Sequence, residues 1–345
     1  MKCTNNKLYR KRKRKKQRRR VLLLFVFLII CCGIAGYFYW LKNQPNILEY
    51  ESKKYGTAIF QTNLAVDSLC VTNENVTSEY FQTEDDFHAI ALFRPDKAEV
   101  LHANKIHEKL YPASTTKILT LYIALQRGTL TDIVTISENA VNVPSDSSKA
   151  GFKLGDQVSF EALLYSLMLP SGNDSAVAIA EYISGSEEEF MNLMNSEAKR
   201  LGATNSNFVT AHGYPDENHY TTAYDMYLIF NQCIKDERFL EIVSKAEYKT
   251  TVTQQNGKQR EMIWKQSNQF VNGARQVPDG VQVIGGKTGT TNEAGACLIL
   301  YSTSASKEPY ISIIMGADSK PILYDNMTKL ISTIPVYETE RGLSN

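Results

Sequence analysis

Apolar and polar positions in the middle of the chain follow the period of α-helices. Between residues 114 and 128, Ile118, Leu119, Tyr122 and Ile123 recur at helical intervals before a glycine, which predicts a buried helix with a C-terminal stop. Similar patterns predict a helix at 160–169, which Ser159 can cap and Pro170 cannot continue. They also predict helices at 174–185 and 187–202, one after residue 225, and a last one at 322–334. The middle of the chain is therefore predicted to be helical.

Both sides of this helical region show the alternating or continuous apolar runs of β-strands. Residues 88–103 place two short apolar runs on either side of a Pro-Asp-Lys turn, which predicts a β-hairpin. Five runs nearer the C-terminus predict strands at 248–257, 258–265, 281–290, 296–306 and 310–317. Because helices and strands are segregated along the chain, the pattern favours an α+β fold over a doubly wound parallel sheet.

The first forty-one residues have a different pattern. Residues 21–41 contain no charge and would extend about 31 Å as a helix, enough to cross a bilayer once. Residues 1–20 contain twelve Lys or Arg and no acidic residue. By the positive-inside rule, this pattern predicts a basic cytoplasmic tail (1–20), one transmembrane anchor (21–41) and an extracytoplasmic remainder, in a single-pass protein of the cell membrane. A cleaved signal peptide is the alternative, with Ala35 and Gly36 near a possible cleavage site.

The charge of the chain is unevenly distributed. The formal net charge is +1, but outside the basic tail 26 Lys or Arg stand against 37 Asp or Glu. Because the tail adjoins a predicted membrane span, topology and anionic lipid explain it better than nucleic acid, and no nucleic-acid partner is expected. Polar residues 42–82 predict a linker, followed by one folded domain at 83–338 and a short tail at 339–345.

Cysteines and histidines predict neither a disulfide framework nor a metal site. Cys70, Cys233 and Cys297 are irregularly spaced and no Cys-His motif accompanies them, so we expect buried free thiols. The histidines at 102 and 107, and those at 212 and 219, lack the spacing of metal ligands on a helix. We therefore expect no metal and no cofactor, and His212 is interpreted as structural.

The first candidate for chemistry is a serine and a lysine three residues apart. Ser114 and Lys117 lie at the start of a predicted helix, where this spacing puts both side chains on one face. A serine needs an adjacent base to become a nucleophile, and a lysine serves as that base only when its pKa is lowered. A helix cap with a surface lysine is the alternative interpretation, and the pair alone is a weak signal.

Two further motifs stand at other predicted boundaries. Ser171-Gly172-Asn173 lies in the break between two helices, where a hydroxyl could relay a proton and an amide could hold a lysine or a substrate carbonyl. Taken alone, it could equally be a polar loop with a capping asparagine. Lys287-Thr288-Gly289 ends a predicted strand, where a cation and a hydroxyl could bind a carboxylate. A phosphate-binding loop is excluded because that motif requires a glycine at position 281, which is a valine.

The three motifs occur in the order S-x-x-K, S-x-N, K-T-G, which is the order of penicillin-binding proteins and class A β-lactamases. The chain resembles the low-molecular-mass penicillin-binding proteins of the D-alanyl-D-alanine carboxypeptidase family, serine peptidases of the S11 type. The similarity covers residues 88 to about 335 and includes YPASTTKILT, LMLPSGNDSAVAIAE, LGATNSNFVTAHG, HYTTAYDM and GGKTGTT. It implies a β-lactamase/transpeptidase-like fold, with an antiparallel sheet flanked by helices and an all-helical subdomain.

The resemblance also implies the activity and the roles of four side chains. It implies removal of the terminal D-alanine from peptidoglycan stem peptides through an acyl-enzyme, with β-lactams as covalent inhibitors. Ser114 would be the acylated nucleophile and Lys117 its general base. Ser171 would shuttle protons, and Asn173 would hold the substrate backbone.

The remaining site residues implied by the resemblance come from the third motif. Lys287, Thr288 and Gly289 would bind the terminal carboxylate of a D-Ala-D-Ala peptide. The backbone N–H groups of Ser114 and Thr290 would form the oxyanion hole.

Other activities of the same fold stay open. A β-lactamase is disfavoured by Ser-Gly-Asn in place of Ser-Asp-Asn and by the lack of a convincing glutamate-bearing loop between Asn173 and Lys287. A D,D-endopeptidase is the nearest enzymatic alternative, and a non-hydrolytic penicillin-binding sensor is a further one. The second, β-rich domain of many relatives is expected to be absent, and their C-terminal anchoring helix is not assumed here.

Overall fold

The computed structural model describes Gly33 and residues 69–340. The chain divides into two compact units, Met1–Leu64 and Ala65–Asn345, and the description below concerns the second. The predicted cytoplasmic tail, the predicted anchor except Gly33, the linker up to residue 68 and residues 341–345 lie outside the described residues. Among the residues that are described, no helix has the length and apolar character needed to cross a membrane.

Nine strands form two antiparallel sheets in the described part of the chain. In chain order they are β1 Ala89–Arg94, β2 Glu99–Asn104, β3 Ile133–Thr135, β4 Gln157–Ser159, β5 Glu247–Thr253, β6 Gln259–Lys265, β7 Val281–Thr291, β8 Gly295–Ser304 and β9 Pro309–Ala317. The large sheet has the order β2-β1-β9-β8-β7, so the predicted N-terminal hairpin pairs with the last strand. The small sheet has the order β3-β4-β5-β6.

Helices form at the predicted positions, and additional short helices are present. They are α1 Lys117–Arg127, α2 Glu138–Val141, α3 Phe160–Met168, α4 Asn173–Ser184, α5 Glu187–Arg200, α6 Ala223–Cys233, α7 Glu237–Ser244, α8 Lys320–Ser332 and α9 Ile334–Glu340. The predicted cap of α3 is confirmed, since the Ser159 hydroxyl accepts a hydrogen bond from the Ala162 N–H. The α+β class is confirmed, but segregation is incomplete because β3 and β4 lie among the helices. These two strands have three residues each, too few to show a period.

The large sheet separates two hydrophobic cores. Its side chains alternate, so that Ile299 packs with the helical core around α1 while Leu298 and Leu300 pack beneath α8 and α9. α1 lies at the centre of the helical core, where every residue from Lys117 to Leu125 is buried. A lysine at the first position of this helix is therefore shielded from water by the fold itself.

The described part of the predicted linker packs against the folded domain. Cys70 is fully buried, and its backbone N–H donates to the Tyr227 hydroxyl at 2.9 Å. Val76 forms a β-bridge with Ala103, and Phe81 is buried beside the large sheet. Packed structure therefore begins before residue 83, the start assigned to the domain from sequence. Cys70, Cys233 and Cys297 are free and buried, as expected.

Candidate active site

The nucleophile candidate lies in a tight turn that leads into α1. Residues Ala113–Thr116 form a 3₁₀ turn, and Lys117 begins the α-helix directly after it. Ala113 adopts a left-handed conformation with φ of 47°, which an L-residue with a side chain rarely accepts. The turn leaves Ser114 partly exposed, with the Lys117 amine 3.0 Å from its hydroxyl. The prediction that both side chains share one face is confirmed.

The Lys117 amine has three partners, and their chemistry defines its proton arrangement. Its nitrogen lies 2.7 Å from the Asn173 amide oxygen and 2.8 Å from the His212 backbone carbonyl. Both oxygens can only accept hydrogen bonds, so they take the two hydrogens of a neutral amine. The third direction faces the Ser114 hydroxyl, which can donate. A neutral Lys117 would thus point its lone pair at the Ser114 hydroxyl.

The surroundings of Lys117 favour this neutral form. Its side chain is 0% exposed, and burial lowers the pKa of the ammonium well below that of an ordinary lysine. The positive charge of Lys287 lowers the pKa further, and the carboxylate of Asp174 opposes both effects. Burial is the largest of the three causes, so the fold rather than one neighbouring charge creates the base.

The second motif lies between α3 and α4, at the break that the sequence predicts. Ser171 has a left-handed backbone with φ of 63°, and Asn173 opens α4 with its N–H donating to the Ser148 carbonyl. Between them, Gly172 has no room for a side chain, because an added Cβ would lie 2.5 Å from the Ser175 hydroxyl. The break aims Asn173 at Lys117 and Ser171 at the third motif.

The third motif brings a second buried lysine to the same site. Lys287 lies within β7, and its amine contacts the Ser171 hydroxyl at 3.0 Å and the Thr288 carbonyl at 2.8 Å. Burial lowers the pKa of Lys287 to about 7, and the positive charge of Lys320 acts in the same direction. Burial thus lowers the pKa of both lysines, and the positive charge of Lys287 lowers that of Lys117 further.

The rest of the third motif lies against the nucleophile. The Thr288 hydroxyl contacts the Ser267 hydroxyl at 2.8 Å. A Cβ added to Gly289 would lie 3.1 Å from the backbone nitrogen of Ser114, so β7 approaches the turn closely at this glycine. Thr290, the next residue, lines the cleft together with Ser114. The structure therefore brings together all eight residues that the sequence predicts for the site.

The site opens into a cleft with two arms that meet at Ser114, Ser148 and Thr290. The first arm, which we call the cationic arm, has a volume of about 370 Å³ and contains Ser171, Ser267, Thr288 and Lys320 in its lining. The second, which we call the acidic arm, has a volume of about 310 Å³ and contains Asp146, Tyr214 and Glu293 in its lining. A ligand crossing Ser114 therefore meets oppositely charged surroundings on its two sides.

Sequence reasoning missed several contributors to the site. Ser148 and Ser267 lie in loops with no motif, and only their position in the fold brings them to the cleft. His212 contributes its backbone carbonyl rather than its imidazole, whose Nδ1 accepts from the Tyr214 N–H. Within the described residues, no three His, Cys, Asp or Glu side chains are grouped to hold a metal ion.

Comparisons with known protein families give a consistent result. Residues 83–319 match the family described as D-alanyl-D-alanine carboxypeptidase. The chain is 34% identical over 258 residues to D-alanyl-D-alanine carboxypeptidase DacC of Escherichia coli K12, covering 72% of this chain and 60% of that protein. It is 32% identical over 254 residues to DacF of Bacillus subtilis 168, covering 72% and 62%. The chain thus spans about three-fifths of the length of these two relatives.

Solved structures match the same region. The crystal structure of the Streptomyces K15 DD-transpeptidase has a TM-score of 0.67 and 27% identity, covering 74% of this chain and 98% of that one. Penicillin-binding protein 5 from Haemophilus influenzae has a TM-score of 0.62 and 29% identity, covering 76% and 72%. These matches confirm the predicted transpeptidase-like fold of antiparallel sheets and helices. They do not bear on the predicted membrane anchor.

The crowding at Gly172 gives a test of the site geometry. Gly172→Ala should reduce the free energy of unfolding by about 1–3 kcal/mol, because its Cβ must displace Ser175, Asp174 or the Ser166 carbonyl. It should also slow the reaction of Ser114 with a β-lactam, since the residues on either side of Gly172 contact Lys287 and Lys117. Chemical denaturation and mass-detected acylation measure the two effects.

Gly257→Ala is the control for that variant. Gly257 has a positive φ of 80°, whereas Gly172 has a φ of −59°, and no atom lies within 4 Å of the Cβ added to Gly257. The control should lose stability through backbone strain alone and acylate at the wild-type rate. Wild-type stability and acylation in Gly172→Ala would show that the site is not packed as described.

Proposed function

Since the chain belongs to the D-alanyl-D-alanine carboxypeptidase family, we propose that it is a serine D,D-carboxypeptidase that removes the terminal D-alanine from peptidoglycan stem peptides. The observation that carries this proposal is the buried Lys117 amine, in contact with Ser114 and with two oxygens that can only accept. That arrangement supplies a base for a serine nucleophile without a histidine.

Substrate binding follows from the charges of the cleft. The terminal carboxylate of the peptide binds in the cationic arm, where Thr288 and Ser267 offer hydroxyls and Lys287 and Lys320 supply positive charge. The peptide then crosses Ser114, so that its acyl part enters the acidic arm. Asn173 stands at the crossing, where its amide NH₂ is available to the substrate backbone while its oxygen holds Lys117.

Acylation moves one proton out of the nucleophile and one onto the leaving group. Lys117 accepts the Ser114 proton as the hydroxyl oxygen attacks the carbonyl carbon of the penultimate D-alanine. The N–H groups of Ser114 and Thr290 stabilise the oxyanion that forms. The carbon–nitrogen bond then breaks, and the leaving amine takes up the proton that Lys117 received, relayed through Ser171, which Lys287 contacts at 3.0 Å; Lys117 is thereby neutral again. D-Alanine departs and the peptide remains as an ester on Ser114.

Water completes the cycle, with Lys117 again as the base that activates it. A β-lactam carries a strained amide and a carboxylate in similar positions, so it acylates Ser114 by the same route and acts as a covalent inhibitor. Gly172 distinguishes this site from that of a class A β-lactamase, whose corresponding residue is an aspartate. An aspartate at that position, as in Ser-Asp-Asn, would need space that Ser175 and Asp174 occupy.

Transfer of the acyl group to an amine is a second candidate activity. The observation favouring it is the likeness to the Streptomyces K15 DD-transpeptidase, of which 98% is covered. In that reaction an amine replaces water in the second step, and the first step stays the same. Adding an amine acceptor to the assay and measuring the transfer product separates the two outcomes.

The site of action is also a proposal. The uncharged run at 21–41 and the twelve preceding bases support a single N-terminal membrane anchor with the catalytic domain outside the cytoplasmic membrane. Peptidoglycan lies on that side, so the proposed location places the enzyme beside its proposed substrate.

Ser114→Ala tests the proposed nucleophile. We expect release of D-alanine from a D-Ala-D-Ala peptide to fall by at least about 10³-fold, because the acyl-enzyme cannot form. Mass spectrometry should also show no β-lactam adduct. Ser186→Ala, which removes the cap of α5, is a matched control that should keep both reactions. Undiminished D-alanine release by Ser114→Ala would refute the mechanism.

The pH dependence of substrate binding tests the role of Lys287. The pKa of Lys287 is lowered to about 7 by burial, and only its protonated form attracts a carboxylate. The value of kcat/KM for D-Ala-D-Ala peptides should therefore decline as the pH rises above about 7, where the free enzyme loses this charge. In the bound enzyme the carboxylate stabilises the ammonium, so kcat should decline only at a higher pH.

A peptide ending in a D-alanine amide is the control for that profile. It has no carboxylate for Lys287 to attract, so the decline above about pH 7 should be absent from its slower hydrolysis. The same decline for both substrates would show that Lys287 does not bind the carboxylate.

A further inference from the structure

The peptide bond between Ala113 and Ser114 is held at its carbonyl end by side-chain hydrogen bonds. Its carbonyl oxygen accepts a hydrogen bond of 2.8 Å from the Thr116 hydroxyl. The same hydroxyl lies 2.9 Å from Nε2 of His219. The carbonyl of Ala113 and the N–H of Ser114 belong to one planar trans peptide and point in opposite directions. Whatever fixes the carbonyl therefore also fixes the Ser114 N–H, which the proposed mechanism assigns to the oxyanion hole.

The contacts of Nδ1 of His219 determine which atom donates in each of these hydrogen bonds. Nδ1 of His219 accepts from the backbone N–H groups of Val209 at 3.1 Å and Thr210 at 3.3 Å. Nδ1 therefore carries the lone pair, and the single ring hydrogen of a neutral imidazole lies on Nε2. Nε2 therefore donates a hydrogen bond to the Thr116 hydroxyl, and this hydroxyl donates a hydrogen bond to the Ala113 carbonyl.

His219 keeps this arrangement at neutral pH. The ring is 1% exposed, and burial lowers its pKa to about 4. Asp216 opposes that effect, whereas a charged Lys117 would add to it. The imidazole is therefore neutral when the enzyme works, and it takes no proton from the substrate.

The backbone at Ala113 needs such support. Its φ of 47° is unfavourable for a residue with a side chain. On one side the Ala113 carbonyl packs against Gly213, where an added Cβ would lie only 1.8 Å from the oxygen. The Thr116 hydroxyl donates a further hydrogen bond to this carbonyl beside the backbone bonds of the 3₁₀ turn. Without that bond, the peptide plane could rotate and turn the Ser114 N–H away from the cleft.

We propose that His219, acting through Thr116, is a positioning residue that orients the Ser114 N–H toward the oxyanion. The proposal rests on the proposed carboxypeptidase function and refines it. His219 touches neither substrate nor reacting atoms; it acts through two hydrogen bonds on a donor that does. The imidazole thus supports the reaction by positioning, while the proposed base is Lys117.

The matched pair Thr116→Val and Thr116→Ser tests this chain of hydrogen bonds. Thr116→Val keeps the shape but removes the hydroxyl, so kcat for D-alanine release should fall by about 10-fold or more. Complete loss of one oxyanion donor lowers kcat by about 10²–10³-fold, which is the largest decrease expected here. KM should change by less than about threefold, because the carboxylate contacts are untouched. Thr116→Ser keeps the hydroxyl and should retain nearly wild-type kcat.

A boronic acid analogue of the substrate separates positioning from general damage. It forms a tetrahedral adduct with the serine and so needs both oxyanion donors. Its affinity should fall in Thr116→Val by about the same factor as kcat/KM. His219→Asn, which can still accept from Val209 but cannot reach Thr116, should behave like Thr116→Val. The double variant should be no worse than Thr116→Val alone, because that substitution already breaks both hydrogen bonds between His219 and the Ala113 carbonyl.

Asn195→Ala provides the structural control. The Asn195 side chain bonds the backbone of Phe208 in the same loop but does not contact Thr116. It should lower the melting temperature while leaving kcat and boronate affinity unchanged. The proposal is overturned if Thr116→Val keeps wild-type kcat and boronate affinity, or if Thr116→Ser loses as much as Thr116→Val. Wild-type release of D-alanine, measured in parallel, shows whether the proposed function itself holds.

Discussion

The exclusion of water from two lysine side chains is the constraint on which the site depends. Lys117 and Lys287 are almost completely buried beside one cleft, and the positive charge of Lys287 disfavours a second charge on Lys117. Burial favours the neutral form of Lys117, which the proposed mechanism uses as the base, and lowers the pKa of Lys287 to about 7, so that a bound carboxylate would favour its charged form. One physical effect, desolvation, thus accounts for the properties of both the proposed proton acceptor and the proposed carboxylate-binding group. The central position of α1 in the helical core makes that desolvation possible.

Strained and crowded backbone accompanies this burial. Ala113 and Ser171 both adopt left-handed conformations, and each lies at the point where a motif enters the cleft. Such conformations persist only where surrounding contacts hold them. Around Ala113 those contacts are the Thr116 hydroxyl, the close approach of Gly213 and the packing of Gly289. The same contacts that support the strain define where the nucleophile and its N–H point.

Local patterns in the sequence predicted what depends on neighbours along the chain. The spacing of Ser114 and Lys117 placed both on one face of a helix, and Ser159 and Pro170 marked the ends of α3. The three motifs together also predicted the fold, through their resemblance to a known family. What the sequence could not indicate depends on distant contacts. The His212 carbonyl, the Ser267 hydroxyl and the bonds of His219 reach the site only through tertiary packing. β3 and β4 were missed because three residues carry too little periodicity.

The protonation state of Lys117 is the most direct test of this account. In protein labelled with ¹³C and ¹⁵N lysine, the side-chain NMR signals of Lys117 can be assigned by their loss in Lys117→Arg and followed with pH. The account predicts the shifts of a neutral amine at pH 7, and a titration midpoint well below the 10.5 of an ordinary lysine. The shifts of an ammonium at pH 7, with a midpoint near that ordinary value, would contradict it.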